Sequence, residues 1–527
     1  MVPDTISRGE RGKNVKLEDR ATLVAFLLLG ALTIVLTRLP RLLDGGVVLD
    51  GDEAIVGLMA KHVLDGKDIA LFFYGQSYGL AIFESLFGAL GFAALGIHAA
   101  SLKLATIALW TIGWIFFTLA ADRFMDRATA FGAAFALVFC AAWGEWSMMA
   151  RGGYVTAFVL TSIALYFCAL TAASTSRTPV ISGLTGATTI LIGLAQPIFA
   201  VTFLPFVVFL HYARRQSAEI VATIVGALLT VVVVAMTTGA WSDYWSPDLF
   251  GLGAFFNSII DLPHRLLVFF SGVYYYNNEI ATGLWTRLGA AVWCLLLVFT
   301  ILMAVLYNRS VRQSYVALSS VSGMLIILGL VLCIPESSFG YRYLLPIAVP
   351  MTLGLAALAH HTEPGSPLYR FAMPAVLAVL LFCGAIAHVD ARQQSRFGSH
   401  EDRQRLEVAQ ERLVEELLER NIHHAYSLDP LLQWNILFTS HESILVRWQH
   451  PFDRYPEYPA TVDAALFNGE PVALIGLEST ANELRGWLSR SGIEREVHTV
   501  GSHYFWGEGL DAKMLEHLGF ELHRPSR

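Results

Sequence analysis

The chain has 527 residues, of which 55% are hydrophobic and only 15% are charged, and its mean hydropathy is +0.54. These values exclude a soluble globular protein and are typical of a polytopic membrane protein. The net charge of −7 gives no indication of nucleic-acid binding. Residues 390–527 hold 36 of the 79 Asp, Glu, Lys and Arg residues. We therefore predict a membrane domain over residues 21–389 and a small soluble domain over residues 390–527.

The apolar runs predict an all-α membrane domain with about eleven transmembrane helices. The first run follows a basic stretch and has no small-residue cleavage site after it, which indicates an uncleaved helix with residues 1–20 in the cytoplasm. The run 79–95 contains Glu84 and several glycines, so we interpret it as a re-entrant or interfacial helix. In an alternative topology this run crosses the membrane, and 181–195 and 198–212 form one long helix. The predicted crossings are 21–37, 103–121, 129–147, 155–173, 181–195, 198–212, 219–237, 285–306, 315–334, 343–359 and 371–389.

Basic residues between these runs indicate which loops are cytoplasmic, because Lys and Arg concentrate on that side of a membrane. With this rule the first loop, 38–102, and the long loop 239–284 face outward. The soluble domain 390–527 lies outside the cytoplasm as well. This arrangement predicts a multi-pass protein of the bacterial cytoplasmic (inner) membrane, with an active site built from its outward segments.

Three carboxylates follow the first helix closely, at Asp50, Asp52 and Glu53. Acidic groups beside a membrane are costly near hydrocarbon and are therefore candidates for function. After Asp52, apolar residues recur at helical spacing, which predicts an amphipathic helix on the outer membrane surface. Either Asp50 or Asp52 can cap this helix. A carboxylate at this place can also act as general base for an acceptor hydroxyl or amine.

Other polar residues interrupt the apolar sequence at predicted outward positions. Tyr74, Gln76 and Tyr78 follow in the first loop, where Gln76 can hydrogen-bond a sugar or a phosphate. Arginine matches the geometry of phosphate, and two arginines face outward against the charge rule. Arg151 lies after the third span under the preferred topology, and Arg342, beside Tyr341, lies late in the membrane domain.

These features together resemble an integral-membrane glycosyltransferase of the GT-C fold. The group includes protein O-mannosyltransferases, aminoarabinose transferases acting on lipid A, and rhizobial galacturonic-acid transferases. The resemblance covers roughly residues 20–390. It rests on Asp52-Glu53-Ala54, the amphipathic helix to Gly66, residues 73–78, Arg151 and residues 342–346.

The resemblance implies that a sugar is transferred from a polyprenyl-phosphate donor to a glycan, lipid or protein acceptor, with inversion. It implies Asp52 as base, Glu53 as its partner, and Arg342 and Arg151 on the lipid phosphate. The extra carboxylate of Asp50 leaves open which aspartate is the base. Some members use a divalent cation and others do not, so no cofactor is certain and a metal on Asp52 and Glu53 stays open.

Two further interpretations compete with sugar transfer. A transporter or flippase of a lipid-linked or polar solute would show internal repeats and broken helices near the midplane, and no convincing repeat is present. A polysaccharide ligase or polymerase would centre on the large loop 239–284. In the soluble domain, a charged helical run over 401–420 and short apolar runs near 444–446 and 472–475 predict a small α/β fold.

Overall fold

A computed structural model describes ten segments of the chain: residues 17–43, 47–238, 252–272, 283–306, 314–336, 339–361, 373–390, 400–450, 453–490 and 496–524. The predicted cytoplasmic N-terminus, residues 1–20, lies largely outside them. The described part of the membrane domain is built from helices, as predicted. Its α-helices are α1 (Leu17–Leu43), α2 (Gly51–Leu64), α3 (Ile82–Leu95), α4 (Ala99–Phe124), α5 (Arg127–Val138), α6 (Ala142–Trp146), α7 (Tyr154–Ala173), α8 (Pro179–Ala195), α9 (Pro197–Arg214), α10 (Ser217–Thr238), α11 (Leu252–Ser271), α12 (Leu284–Leu306), α13 (Tyr315–Leu332), α14 (Ala348–His361) and α15 (Met373–Asp390).

Nine helices in the described segments are long and apolar enough to cross a membrane. They are α1, α4, α7, α9, α10, α12, α13, α15 and the segment Tyr341–His360, in which a 3-10 helix over Tyr341–Ile347 leads into α14. The chain is therefore a multi-pass membrane protein. The other two predicted crossings correspond to the shorter helices α5 and α8, so their crossing stays a prediction.

Two topological alternatives can be compared with the observed helices. Helices α8 and α9 are separate, because Gln196 between them has extended backbone angles and Pro197 starts the next helix. The fused helix of the alternative topology is therefore not present. Helix α3 has only 14 residues, fewer than the roughly 20 that span a bilayer core, which fits an interfacial helix. The predicted loop 239–284 contains helix α11, which was not expected; the rest of it lies mainly outside the described residues.

The C-terminal domain has the α/β character predicted for it. A five-stranded sheet, in the order β2-β1-β3-β5-β4, combines parallel pairing of β1 with β2 and β3 and antiparallel pairing around β5. The strands are β1 (His424–Ser427), β2 (Leu445–Trp448), β3 (Val472–Leu477), β4 (Val497–Val500) and β5 (Tyr504–Glu508). The helices are α16 (His400–Glu419), α17 (Pro430–Thr439), α18 (Glu457–Phe467), α19 (Glu478–Arg490) and α20 (Ala512–His517).

Helix α2 lies between the two domains. The sequence predicts a helix exposed on the membrane surface, but almost all of α2 is buried, because α17 packs against it as well as α3. Two glycines allow this close approach. A Cβ added at Gly57 would lie 2.6 Å from the ring of Phe438, and one at Gly51 would lie 2.8 Å from the side chain of Leu431. Apolar residues of α2, α3 and the C-terminal domain consequently share one core.

A polar contact centred on Glu442 also joins the domains. Its carboxylate accepts hydrogen bonds from Lys61 Nζ at 2.7 Å and from the Tyr458 hydroxyl at 2.9 Å, and it lies 3.0 Å from His62 Nε2. Burial alone would raise the pKa of Glu442, but the bonds from His62 and Lys61 hold that pKa well below its ordinary value. The C-terminal domain is therefore held against α2 by ionised groups as well as by apolar packing.

Candidate active site

The three predicted carboxylates surround the N-terminus of α2. Asp50 is the N-cap: its side chain accepts a hydrogen bond from the Glu53 backbone N at 2.9 Å, and Glu53 Oε2 accepts one from the Asp50 backbone N at 3.3 Å. This reciprocal pair is a capping box, which satisfies amide groups that a helix start leaves without partners. Of the two aspartates able to cap the helix, Asp50 does so, and Asp52 follows within the first turn.

The three carboxylates differ in what they contact. Arg151 donates hydrogen bonds to both aspartates, to Asp50 Oδ2 and, at 2.8 Å, to Asp52 Oδ2. Lys103 Nζ lies 2.5 Å from Glu53 Oε1. The side chains of Asp50 and Glu53 are each only 2% exposed. Burial raises the pKa of Glu53 above its ordinary value, a shift that Lys103 opposes.

Asp52 is the accessible member of the group, because its side chain is 25% exposed. Its Oδ1 atom accepts no hydrogen bond from the described part of the chain, and Arg454 Nη2 lies 3.9 Å from it. A carboxylate with one oxygen fixed and one oxygen open can accept a proton from a molecule that binds beside it. Asp52 alone in this group has that arrangement.

The backbone after Arg151 explains how this arginine reaches the aspartates. Gly152 and Gly153 both have positive φ angles, of 60° and 91°, which residues with a Cβ rarely adopt. A Cβ at Gly153 would also lie 3.0 Å from the carbonyl oxygen of Ala195. Gln196 Nε2 donates to the Gly152 carbonyl at 2.9 Å. The turn that carries Arg151 is thus fixed from two sides.

Glu84 supports the same segment from α3. It is buried, and its Oε1 accepts hydrogen bonds from the backbone N and the hydroxyl of Thr156, both at 3.3 Å. These groups belong to the first turn of α7, where a helix leaves amides without partners. Burial raises the pKa of Glu84 to about 7, although the bonds from Thr156 and Gly153 oppose the shift. Glu84 therefore anchors the start of the helix that follows Arg151.

The predicted aromatic loop borders the carboxylates. The Tyr74 hydroxyl lies 2.7 Å from His62 Nδ1, and burial raises the pKa of Tyr74. Gln76 is half-buried and Tyr78 is exposed; the backbone N of Gln76 donates to the Phe73 carbonyl at 3.0 Å. Residues 69–76 line an open cleft of about 370 Å³. The loop therefore offers a surface next to the site.

Arg342 approaches this region from the late part of the membrane domain. It lies in the 3-10 helix, with its guanidinium carbon 5.2 Å from the centre of the Tyr343 ring. Tyr154, the first residue of α7, is within electrostatic reach of Arg342, Arg151 and Tyr78. The structure thus brings these three predicted residues to one area.

Tyr341, the neighbour of Arg342 in the chain, is enclosed by other side chains. It is only 5% exposed and packs edge-on against Phe339 at 5.1 Å. The guanidinium carbon of Arg265, on α11, lies 4.3 Å from the centre of that Phe339 ring. Tyr341 is therefore held by packing beside Arg342.

Lys103, Glu84 and Arg454 are site residues that the sequence analysis did not select. Lys103 is the first residue of the predicted span 103–121. A charge at the boundary of a membrane helix could have indicated a functional residue. Glu84 was noted only as a reason to doubt a crossing. Arg454 lies about 400 positions from Asp52 in the chain, and nothing in its neighbourhood marks it.

The arrangement does not suit the divalent cation that was left open at Asp52 and Glu53. Asp52 Oδ2 already pairs with Arg151, and Glu53 Oε1 already pairs with Lys103. In the described segments, moreover, no group of three His, Cys, Asp or Glu residues could hold a metal ion. We therefore derive no step through a metal.

An apolar cavity of about 440 Å³ lies in the membrane domain among α5, α12, α14 and α15. Its lining includes Thr129 at the start of α5 and Ala359 at the end of α14. Almost all of its lining side chains are apolar, so the cavity can hold hydrocarbon.

Comparison with solved structures identifies the architecture. The structure of ArnT from Cupriavidus metallidurans bound to undecaprenyl phosphate matches with a TM-score of 0.61 at 11% identity, covering 93% of this chain and 98% of that one. This chain has the GT-C fold. The apo structure of the same ArnT gives the same values. The GT-C match thus spans the C-terminal domain as well as the helices.

A second solved structure agrees less closely. The arabinofuranosyltransferase AftD from Mycobacteria matches with a TM-score of 0.51 at 15% identity, over 87% of this chain and 35% of AftD. No family model and no curated protein matches the sequence. The fold resemblance expected from five short sequence features is therefore confirmed by structure, at identities where sequence comparison finds nothing.

Proposed function

We propose that this protein transfers a sugar from a polyprenyl-phosphate donor to an acceptor at the outer face of a bacterial cytoplasmic membrane. The proposal is supported by the GT-C fold, shared with an ArnT structure that holds undecaprenyl phosphate, and by the chemistry of the carboxylate group. The observation that carries it is the environment of Asp52, whose Oδ2 is fixed by Arg151 while Oδ1 remains open.

Asp52 is the proposed general base, and the structure gives a reason to prefer it over its neighbours. Asp50 is buried and occupied by the capping box and Arg151. Glu53 is buried against Lys103. A general base must reach the proton it removes, at a heavy-atom distance of about 2.6–3.2 Å. Of the three, only Asp52 combines exposure with an available oxygen.

Arg342 is the proposed partner of the donor phosphate. Arg151 already donates hydrogen bonds to two aspartates. We therefore assign binding of the lipid phosphate, which the resemblance gave to both arginines, mainly to Arg342. A guanidinium can bind a phosphate through two parallel hydrogen bonds. Tyr78, like Arg342, lies within electrostatic reach of Tyr154, and its hydroxyl is a further candidate donor to the phosphate.

The proposed reaction uses Asp52 as the general base and Arg342 to bind the donor phosphate. The acceptor hydroxyl attacks the anomeric carbon of the donor sugar while its proton passes to Asp52. The bond from that carbon to the phosphate oxygen breaks, and its electron pair leaves with the polyprenyl phosphate. This leaving group needs no proton at neutral pH, so one base and cationic stabilisation of the phosphate suffice. Attack opposite the leaving group inverts the anomeric carbon.

Release of the lipid product tests the activity directly. The full-length protein in lipid nanodiscs is incubated with undecaprenyl-phosphate hexose, pentose and uronic acid and with alkyl glycosides as acceptors. Free undecaprenyl phosphate is then measured by mass spectrometry. We expect release with one donor class. Movement of an intact lipid-linked sugar across vesicles, with no release, would instead support the transporter.

Cysteine labelling tests the proposed orientation. Single cysteines in 38–76, 239–284 and the C-terminal domain should react with an impermeant reagent added to the outside of intact cells. Cysteines in 213–218 or 308–314 should react only after the membrane is opened. Labelling of the C-terminal domain only in opened cells would place the site in the cytoplasm and contradict an outer-face reaction.

A further inference from the structure

The C-terminal domain places one cation against Asp52. Arg454 lies in the segment before α18, and its Nη2 is 3.9 Å from Asp52 Oδ1. The guanidinium carbon of Arg454 lies 4.9 Å from the centre of the Phe73 ring, and a cation over the face of an aromatic ring is attracted to it. A Cβ at Gly75 would lie 2.7 Å from the Arg454 Cα. The glycine therefore permits the aromatic loop to pack against the Arg454 backbone.

The segment that carries Arg454 is itself fixed. Asp453, the preceding residue, accepts hydrogen bonds from Gln433 Nε2 at 2.5 Å and from the backbone N of Tyr455 at 3.0 Å. Tyr455 in turn packs against Tyr74, with ring centres 5.1 Å apart. Arg454 is thus held between the C-terminal domain and the first loop, at the mouth of the site.

The distance between Arg454 and Asp52 allows one oxygen to bind both. A separation of 3.9 Å between Nη2 and Oδ1 is too long for a direct hydrogen bond, which needs about 2.7–3.2 Å. An oxygen that lies to one side of the line joining the two atoms can be within hydrogen-bonding distance of both. A hydroxyl there would donate to Asp52 Oδ1 and accept from Arg454 Nη2, which is the position of an attacking acceptor oxygen.

A second nitrogen of Arg454 also needs a partner. Nη1 is buried and has no hydrogen-bond acceptor in the described chain. A buried donor without a partner costs about 1–3 kcal/mol, and more when it is charged. Because Nη1 is enclosed by the protein, Nη2, which faces Asp52 Oδ1, is the nitrogen that can meet an incoming molecule.

We infer that Arg454 and Asp52 together bind the attacking hydroxyl of the acceptor. This inference rests on the proposed function and adds the acceptor side to it. Nη2 stabilises the negative charge that grows on the attacking oxygen as its proton moves to Asp52. Arg454 belongs to the C-terminal domain, whereas Arg342, the proposed partner of the donor phosphate, belongs to the membrane domain.

Arg454→Gln tests this role because it keeps much of the side-chain volume and removes the charge. The full-length variant in nanodiscs receives an undecaprenyl-phosphate sugar that the wild type uses and an alkyl hexoside as acceptor. We expect turnover to fall about 10²- to 10³-fold, the usual effect of removing one such donor. Binding of undecaprenyl phosphate should change less than twofold. Arg454→Lys should recover part of the turnover.

Three controls separate the outcomes. Arg412→Gln removes an exposed arginine of α16 that pairs with Glu416 and should behave as wild type. Melting temperatures measured on the same preparations show whether Arg454→Gln is folded, and Arg454→Lys tests the site if it is not. An alkyl alcohol of matched chain length has the same kind of attacking hydroxyl, so Arg454→Gln should lower its turnover by a similar factor.

Two results would overturn the inference while leaving the proposed function intact. The first is wild-type turnover in both Arg454 variants. The second is a parallel loss of undecaprenyl phosphate binding, which would place Arg454 on the donor. Absence of turnover in the wild type with every donor class would instead overturn the proposed function, and the inference with it.

Discussion

The guanidinium of Arg151 lies 2.8 Å from the carboxylate of Asp52, although 99 positions separate the two residues in the chain. This contact joins the start of α2 to the turn before α7. It fixes one oxygen of Asp52 and leaves the other open, and this asymmetry distinguishes Asp52 from Asp50 and Glu53. The contact also leads to predictions for stability, because Arg151 neutralises a deeply buried carboxylate at the same time.

Removal of Arg151 should destabilise the protein strongly. Its side chain is 6% exposed and that of Asp50 is 2% exposed, so Arg151→Gln leaves a buried charge without its partner. Breaking such a pair from one side costs about 3–5 kcal/mol. We expect a large drop in melting temperature, partly reversed when Asp50→Asn is added. Arg405→Gln, at an exposed pair with Glu401, is the control. A melting temperature equal to that of the control would contradict a structural role for the Arg151–Asp50 pair.

Glu84 should make stability depend on pH. Its pKa is raised from 4.5 to about 7, so the folded chain holds this proton more tightly than the unfolded chain does. The stabilisation is complete below pH 4.5 and is lost as pH rises to about 7, an effect of about 3 kcal/mol. Melting temperatures at pH 5 and pH 8 measure it. Glu84→Gln should reduce the difference between the two pH values, whereas the exposed Glu401→Gln should not. An unchanged difference in Glu84→Gln would show that Glu84 does not titrate there.

Arg342 should govern affinity for the lipid phosphate. Hydrogen bonds to charged groups contribute about 1.5–3 kcal/mol, so Arg342→Ala should weaken undecaprenyl phosphate binding by roughly 10- to 100-fold. Arg342→Lys keeps the charge but loses the paired donors, and should have a smaller effect. Binding and melting temperature are measured on the same preparations. A lower melting temperature with unchanged affinity would show that Arg342 has a structural role only.

The fold was largely predictable from local pattern. Apolar runs give the membrane helices, and the charged run over 401–420 matches helix α16 (His400–Glu419). The burial of α2 was not predictable from the sequence. The face that the sequence predicts to be exposed is covered by α17, which lies nearly 400 residues later in the chain. Helix α11 was missed since its apolar residues lie on one face only. Its residues were therefore assigned to the outward loop 239–284.

The candidate site was predictable only in part, for a related reason. Asp50, Asp52 and Glu53 are adjacent in sequence, so their clustering was visible. Which of them is open depends on Arg151 and Lys103, which come from other helices. The position of Arg454 beside Asp52 depends on how the C-terminal domain packs against the membrane domain. Pairing across such distances is set by tertiary packing, which a single sequence does not display.

Turnover by Asp52→Asn tests the central claim most directly. The variant keeps the side-chain volume and removes the proposed base, and α2 keeps its cap because Asp50 is unchanged. Undecaprenyl phosphate release is compared in the wild type and in Asp52→Asn at matched melting temperature and matched undecaprenyl phosphate affinity. We predict that release falls by about 10²-fold or more, the usual scale for loss of a general base. Release at the wild-type rate would contradict the account, because the reaction would then not depend on Asp52.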